Sequence, residues 1–113
     1  MNMYSYGGYT MNLIETELLD RLSDFYKTFS DSTRLRILDV LLNKDSCVNE
    51  ISSVLGISQS LVSHQLRTLR LSNFVKATRM GQNIIYSIAD DHIKIILEYG
   101  IEHLKELDYE KKD

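Results

Sequence analysis

Large apolar residues recur every three or four positions along the first half of the chain, which is the spacing of an amphipathic helix. From Asn12, a suitable N-cap, this pattern continues to about Thr28 and predicts a first helix. Asp31 or Ser32 is placed to cap a second helix. Residues 1–11 are rich in Tyr, Gly and Asn and show no helical period, so they are predicted to form a flexible N-terminal tail.

Two further helices are predicted around a glycine. The third begins at Cys47 or Val48 and ends before Gly56, which suits a left-handed helix terminator. Ser58 then caps a fourth helix that continues through Leu71. A short helix, a tight turn and a second capped helix form a helix-turn-helix pattern.

The hydrophobic period changes after the fourth helix. Residues 74–79 and 84–88 are β-type segments on either side of a Met-Gly-Gln-Asn turn, which predicts a hairpin. Asp90 or Asp91 caps a last helix that extends to about Leu107. Gly100 inside this helix has no capping role there, and a close approach by another helix would explain it.

The predicted fold class is therefore mainly α with a small β component (α+β), a winged helix-turn-helix with the element order ααααββα. Residues 12–108 are predicted to form one domain, and residues 109–113 a charged C-terminal tail. A chain of 113 residues supports only a modest core, which dimerisation would extend.

Charge is unevenly distributed along the chain. The net charge is −3, yet residues 51–89 carry four basic side chains and no acidic one, whereas the flanking segments are acidic. A local basic patch attracts phosphates whatever the overall charge. Chance clustering of four cations is the alternative interpretation.

Composition indicates in which cellular compartment the protein is expected and which classes of protein are not expected. The single cysteine excludes an intrachain disulfide and agrees with a reducing compartment. We expect no membrane association, because no run of about 20 apolar residues occurs and the start of the chain is a poor signal peptide. The expected location is cytoplasmic. We find no nucleophile–base pair or phosphate loop, so an enzyme is not expected.

The fourth helix and the hairpin contain the candidate DNA-binding residues. Short polar side chains near the start of the helix suit base edges or phosphates, whereas the arginines further along suit phosphates. The hairpin would contact the adjacent backbone or minor groove. Polar content alone would also fit an ordinary surface helix. The predicted set comprises Val48, Gln59, Ser60, Ser63, His64, Arg67, Arg70, Lys76, Arg79 and Gln82.

Two histidines and two carboxylates occupy the ends of the last helix in the order Asp90-x-His92 and His103-x-x-Glu106. His92 and His103 return to the same helix face within roughly 20°, but the two pairs lie about 16 Å apart along the axis. One helix cannot close a metal site over that distance. Two copies running antiparallel can, so the spacing predicts a homodimer and a divalent metal ion together. Taken singly, each histidine would more often be a structural residue.

The chain resembles the ArsR/SmtB family of metal-sensing transcriptional repressors over residues from about 15 to 108. The resemblance rests on Ser-Thr-Arg-Leu-Arg-Ile-Leu at residues 32–38, on Ser-Gln-Ser-Leu-Val-Ser-His-Gln-Leu at residues 58–66, and on the Gly-Gln turn before residues 85–88. It implies a homodimer through the first and last helices. Such a dimer binds an inverted repeat in double-stranded operator DNA and is released by metal.

The resemblance also implies residue roles. Asp90, His92, His103 and Glu106 match the family pattern of zinc and cobalt sensors, with one pair from each protomer; zinc suits this N₂O₂ set, cobalt or nickel stays open, and no organic cofactor is implied. His103 is implied to reach the backbone near Asn73 through a hydrogen bond.

By position, Ser60, Ser63 and His64 take the places of the family's DNA-contacting residues. At Cys47 a second family site is incomplete, so a packing role is expected there. A repressor with a vestigial metal site and another inducer, and a metal-storage or scaffold protein without DNA activity, are the competing hypotheses.

Overall fold

The computed structural model describes the backbone of residues 2–110 and the side chains of residues 3–109, so the end of the predicted charged tail lies outside the described residues. A winged helix-turn-helix is formed in the predicted order, preceded by one further hairpin. The elements are β1 (Asn2–Tyr6), β2 (Tyr9–Leu13), α1 (Thr16–Phe29), α2 (Ser32–Asn43), α3 (Val48–Leu55), α4 (Gln59–Leu71), β3 (Val75–Met80), β4 (Asn83–Ile88) and α5 (Asp91–Glu110).

The N-terminal hairpin corrects the expectation of a flexible tail. Residues 2–11 belong to an antiparallel pair in which Asn2 faces Leu13 and Tyr6 faces Tyr9. The turn consists of Gly7 and Gly8, both with positive φ, as a tight hairpin turn requires. The Gly-Gly turn between alternating tyrosines was the overlooked signal. Helix α1 consequently starts at residue 16 and not at residue 12.

Three predicted helix caps are formed. The Asp31 carboxylate accepts a hydrogen bond from the Arg34 backbone N–H at 2.9 Å, and the Ser58 hydroxyl accepts one from the N–H of residue 61 at 3.1 Å. The carboxylate of Asp90 accepts from the Ile93 N–H at 3.1 Å. Such caps contribute about 1 kcal/mol each and fix where α2, α4 and α5 begin.

The core lies where α2, α3 and α4 meet the base of the β3–β4 hairpin and the first turns of α5. Phe74 fills its centre, with ring centroids 5.0 Å from Phe25 and 4.6 Å from Phe29. The buried apolar residues are Ile37, Leu38, Leu41, Ile51, Val62, Leu66, Leu69, Phe74, Val75, Ile93 and Leu97. Helix α1 has no buried residue and adds only half-buried aromatic rings to this core.

One side chain ties α1 to α4 through α2. The guanidinium of Arg34 donates from Nε to the Thr28 carbonyl at 2.9 Å and from Nη2 to the Lys27 carbonyl at 3.4 Å. Its Nη1 donates to Oε1 of Gln65 in α4 at 3.4 Å. Arg34 thereby satisfies carbonyls at the end of α1 and holds α4 at the same time.

The β3–β4 hairpin, called the wing below, is joined directly to α5. Only Ala89 and Asp90 separate β4 from the helix, and the Ala89 N–H donates to the Phe74 carbonyl at 2.9 Å. Tyr86 in β4 also exchanges two backbone hydrogen bonds with Ser46, at 2.9 and 3.1 Å. The base of the wing and the start of α5 therefore belong to one hydrogen-bonded unit.

A large apolar surface stays exposed. Every residue from Met3 to Asp24 is exposed, and so are Ile96, Leu104 and Leu107 of α5. The radius of gyration is 18.3 Å, whereas a compact chain of this length has about 13 Å. Among the described residues, no helix is long and apolar enough to span a bilayer. The apolar side chains that α1 and α5 leave exposed suit contact with a protein partner.

Candidate DNA interface and metal site

A three-residue turn sets the angle between α3 and α4. Gly56 adopts φ of 66°, and its N–H donates to the Ser52 carbonyl at 2.9 Å. The Ile57 N–H reaches the same carbonyl at 3.3 Å, while the Ser52 hydroxyl donates to the Ile57 carbonyl. Ser58 then caps α4. The left-handed residue and these bonds build the predicted helix-turn-helix.

Helix α4, called the reading helix below, has distinct inner and outer faces. Val62, Leu66 and Leu69 are fully buried at i, i+4 and i+7 and hold the inner face against the core. The other face, with Ser60 and His64 near its centre, is exposed. All predicted DNA-contacting residues of this helix are exposed: Gln59, Ser60, Ser63, His64, Arg67 and Arg70.

The three candidate DNA-binding residues of the wing do not lie together on one face. Strand alternation places Lys76 and Arg79 on opposite faces, because they lie three positions apart in β3. Arg79 and Gln82 are exposed near the tip, where Gly81 turns the chain with φ of 65°. Lys76 instead lines a hollow of about 530 Å³ that Asp90 and other residues near the start of α5 also line. Lys76 is nevertheless exposed, and its contact with DNA stays a prediction.

Val48 lies at the edge of the hydrophobic core. It is the first residue of α3, is half-buried, and packs against the hydrophobic core. The apolar side of this short helix turns inward towards α2 and α4. The assignment of Val48 to the DNA-contacting set stays a prediction.

One carboxylate next to the basic segment, that of Glu50, is paired with a lysine. Glu50 accepts a hydrogen bond from Lys44 Nζ at 3.0 Å and another from the Cys47 backbone N–H at 3.2 Å. The Lys44 ammonium and the Cys47 N–H hold the pKa of the Glu50 carboxyl below its ordinary value. This carboxylate stays paired beside the acid-free segment 51–89, so the basic field there is retained.

The candidate metal ligands lie at two levels of α5. In the first turn, Asp90 Oδ1 lies 3.7 Å from Nδ1 of His92, and both side chains are exposed. This places Asp90 at the cap, as predicted. His103 and Glu106 are exposed one turn apart further along, about 16 Å away by helix rise. The two pairs do not meet within one chain.

The donor chemistry fits zinc only if two chains contribute. Within residues 2–110 of one chain, no three His, Cys, Asp or Glu side chains come close enough to hold a metal ion. Each end of α5 supplies one imidazole and one carboxylate, a set that zinc accepts in tetrahedral coordination. Two such pairs from antiparallel copies complete four ligands.

Two further expectations concern neighbouring residues. Cys47 is half-buried as the N-cap of α3, with its backbone N–H bound by Glu50. The hydrogen bond implied from His103 towards Asn73 is not formed between the described residues of a single chain. Asn73 lies two residues after the end of the reading helix and has a left-handed conformation with φ of 60°.

Sequence reasoning missed the role of Arg34. It stands in the Ser-Thr-Arg stretch that carried the family resemblance, but no function followed from that stretch alone. An arginine followed by alternating apolar residues gives no local sign that its guanidinium bonds a glutamine 31 positions away. Only the packed structure brings these groups together.

A capped reading helix, an exposed polar outer face and a wing define a winged-helix DNA-binding protein. The model of the bacterial regulatory proteins of the arsR family matches residues 31–77. The chain is 36% identical over 88 residues, covering 78% of this chain and 67% of the relative, to a transcriptional repressor SmtB homolog of Synechocystis. The chain therefore belongs to the ArsR family of transcriptional regulators, which are not enzymes.

Further relatives agree with this assignment. A cadmium resistance regulatory protein CadC homolog of Staphylococcus aureus is 32% identical, with 73% of this chain and 69% of the relative covered. The crystal structure of Mycobacterium tuberculosis Rv0081 superposes with a TM-score of 0.78 at 32% identity, covering 88% of this chain and all of that one. A homodimeric winged-helix domain of Mycobacterium bovis Mb0332 gives 0.75 at 25% identity, covering 85% and 92%.

Proposed function

We propose that the protein is a zinc-responsive transcriptional repressor that binds operator DNA as a homodimer and is released by the metal. The observation that carries the proposal is the placement of two exposed histidine–carboxylate pairs at opposite ends of a helix with an uncovered apolar surface. Relatives named as an SmtB homolog and a cadmium resistance regulator support a metal inducer.

The dimer is supported by what α1 and α5 leave exposed. Ile96 and Tyr99 lie between His92 and His103 on the helix wheel and are both exposed. A Cβ added at Gly100 would meet no other group of its own chain within 4 Å, so a second helix has room to approach there. Antiparallel contact of two such helices buries this surface and brings each first pair to the partner's second pair.

The DNA-bound state requires both reading helices at once. In a two-fold dimer they enter successive major grooves about 34 Å apart, where Ser60, Ser63 and His64 meet base edges or phosphates. Arg67 and Arg70 further along the helix, and Arg79 at the wing, contact phosphates. The spacing of the two helices is then set by how the α5 helices pack.

Metal control follows from that spacing. Zinc, when bound, cross-links the two α5 helices and neutralises two carboxylates. Asp90 keeps its cap hydrogen bond to Ile93 while offering a carboxylate oxygen, which fixes the start of α5. If the two reading helices of the zinc-bound dimer are held at a different spacing, operator binding is weakened. Couplings of about 1–3 kcal/mol correspond to roughly 5- to 150-fold weaker DNA binding.

The decisive experiment measures fluorescence anisotropy of a labelled fragment of the gene's own upstream DNA. We expect zinc to weaken binding at least about fivefold, in line with the couplings above. His103→Gln should bind this DNA like the wild type and ignore zinc. Glu102→Gln, an exposed neighbour off the histidine stripe, is the matched control and should respond normally.

A reciprocal variant separates the two activities. His64→Gln should weaken operator binding while keeping zinc binding in equilibrium dialysis, with one or two zinc ions per dimer. Parallel dialysis with cobalt and cadmium ranks the metals. Zinc-driven release of His103→Gln equal to that of the wild type would refute the assignment of the metal site.

A further inference from the structure

The N-terminal hairpin has two chemically different faces. Residues that pair directly across an antiparallel sheet point to the same side. The register pairs Tyr4 with Met11 and Tyr6 with Tyr9. Together with Leu13 these residues form one face, called the tyrosine face below. The opposite face consists of Met3, Ser5, Thr10 and Asn12.

The tyrosine face is uncovered in the single chain. Tyr6 is 80% exposed, Tyr9 75% and Tyr4 50%, and among the described residues β1 and β2 form a sheet of two strands. A two-stranded hairpin alone in water is marginal at best, so one apolar face needs a surface to pack against. Tyrosines are enriched at protein interfaces because they offer a large apolar body with a polar tip.

Charge narrows the choice of occupant. Residues 1–14 contain no acidic or basic side chain. DNA is held chiefly by Lys and Arg contacts to phosphates, and anionic membranes attract basic segments. An uncharged aromatic face fits neither, whereas an uncharged apolar protein surface suits it.

The chain itself presents such a surface next to the hairpin. Ile14 leads directly into α1, where Leu18, Leu19 and Leu22 are also exposed. The tyrosine face thus adjoins, along the chain, the α1 surface that the proposed dimer would cover. At their exposed fractions, the three tyrosines could bury roughly 300–500 Å² together, a substantial share of the roughly 800 Å² that each partner contributes to a standard interface.

We propose that the tyrosine face packs against a second copy of this chain and is part of the dimer interface. This inference uses the dimer of the proposed function but does not depend on the metal site. The hairpin acts as an arm that extends each protomer's contact beyond α1 and α5.

Site-specific photo-cross-linking of the full chain tests the proposal. A benzophenone amino acid in place of Tyr6 should give a covalent dimer on irradiation, seen as doubled mass on a denaturing gel. The same group in place of Met3, on the opposite face, is the matched control and should give at most about a tenth of that yield. Sedimentation of the same samples establishes whether dimers are present.

Affinity provides the second measurement. Tyr6→Ser with Tyr9→Ser should raise the dimer dissociation constant at least tenfold, while Met3→Ser should change it less than twofold. Tyr6→Phe with Tyr9→Phe keeps the apolar area and should retain dimerisation.

Each remaining outcome is decisive. A dimer whose residue-6 probe cross-links only within its own chain, or to added operator DNA, overturns the arm but leaves the proposed repressor intact. A monomer at all concentrations overturns both. Loss of zinc response alone overturns only the metal assignment.

Discussion

Replacing Arg34 by alanine should loosen the attachment of the reading helix and lower stability. The guanidinium makes one hydrogen bond of 2.9 Å and two of 3.4 Å. Hydrogen bonds from charged groups contribute about 1.5–3 kcal/mol when well formed. Counting the short bond near the lower limit and the two long ones, which are weaker, at roughly 0.5 kcal/mol each, we expect a loss of about 2–2.5 kcal/mol.

Urea unfolding followed by circular dichroism measures this loss. All variants are compared at one protein concentration, because dimer association adds to apparent stability. Arg36→Ala, an exposed arginine two positions along the same helix, is the matched control and should lose less than about 0.5 kcal/mol. By thermal unfolding, the Arg34 variant should melt roughly 10 °C lower.

A double-mutant cycle with Gln65→Ala isolates the contact to the reading helix. We expect a coupling of about 0.5 kcal/mol between the two positions, the lower end for contacting residues. A loss for Arg34→Ala no larger than that of the Arg36 control would refute the role given to these hydrogen bonds. Additive effects of Arg34 and Gln65 would restrict the role to the end of α1.

Two other changes test separate parts of the structure. Glu50 has a lowered pKa in the folded chain, so its contribution to stability is present above the ordinary value of 4.5 and is lost as the pH falls through the folded pKa. Urea unfolding at a series of pH values should therefore show Glu50→Gln less stable than the wild type at pH 7, and this difference should shrink as the pH falls below 4.5. Glu98→Gln serves as the control. A difference in stability that stays constant across this pH range would contradict the assignment. Gly100→Ala has open space within its own chain and gains about 1 kcal/mol of helix propensity. It should nevertheless raise the dimer dissociation constant several-fold in sedimentation equilibrium, because the added methyl meets the second helix; tighter association would exclude a close approach at this position.

Local signals predicted most of the winged helix. Asp31, Ser58 and Asp90 each stand just before an apolar run, and each caps the helix expected from that position. Gly56 terminates α3 with the left-handed conformation that its residue type suggested. These features depend on four or five consecutive residues, which is why sequence alone was sufficient.

Features that depend on register or on distant partners were not predictable. The side of the wing on which Lys76 lies depends on the parity of strand positions, and a shift by one residue would reverse it. The half-burial of Val48 depends on how α3 packs, which no local signal in the sequence shows. The N-terminal hairpin was missed because an uncharged, glycine-containing segment resembles an irregular tail in composition.

The two histidine–carboxylate pairs could be predicted only in part from the sequence. Their places near the two ends of α5 followed from their positions in the sequence, and in the structure Asp90 Oδ1 lies 3.7 Å from Nδ1 of His92. Whether the pairs meet across two chains depends on an association that no single sequence encodes locally. The zinc assignment accordingly stays a proposal.

The short connection between the wing and α5 means that the two elements would move together. Only Ala89 and Asp90 lie between them, and the Ala89 N–H is bonded to the Phe74 carbonyl, so a tilt of α5 at its start would be passed on to the wing. A six-residue strand is about 20 Å long, so a 10° tilt moves the wing tip by about 3.5 Å. That displacement exceeds the length of a hydrogen bond to phosphate. In the proposed repressor, a change in how the α5 helices pack would therefore reach the wing tip, where Arg79 and Gln82 are exposed.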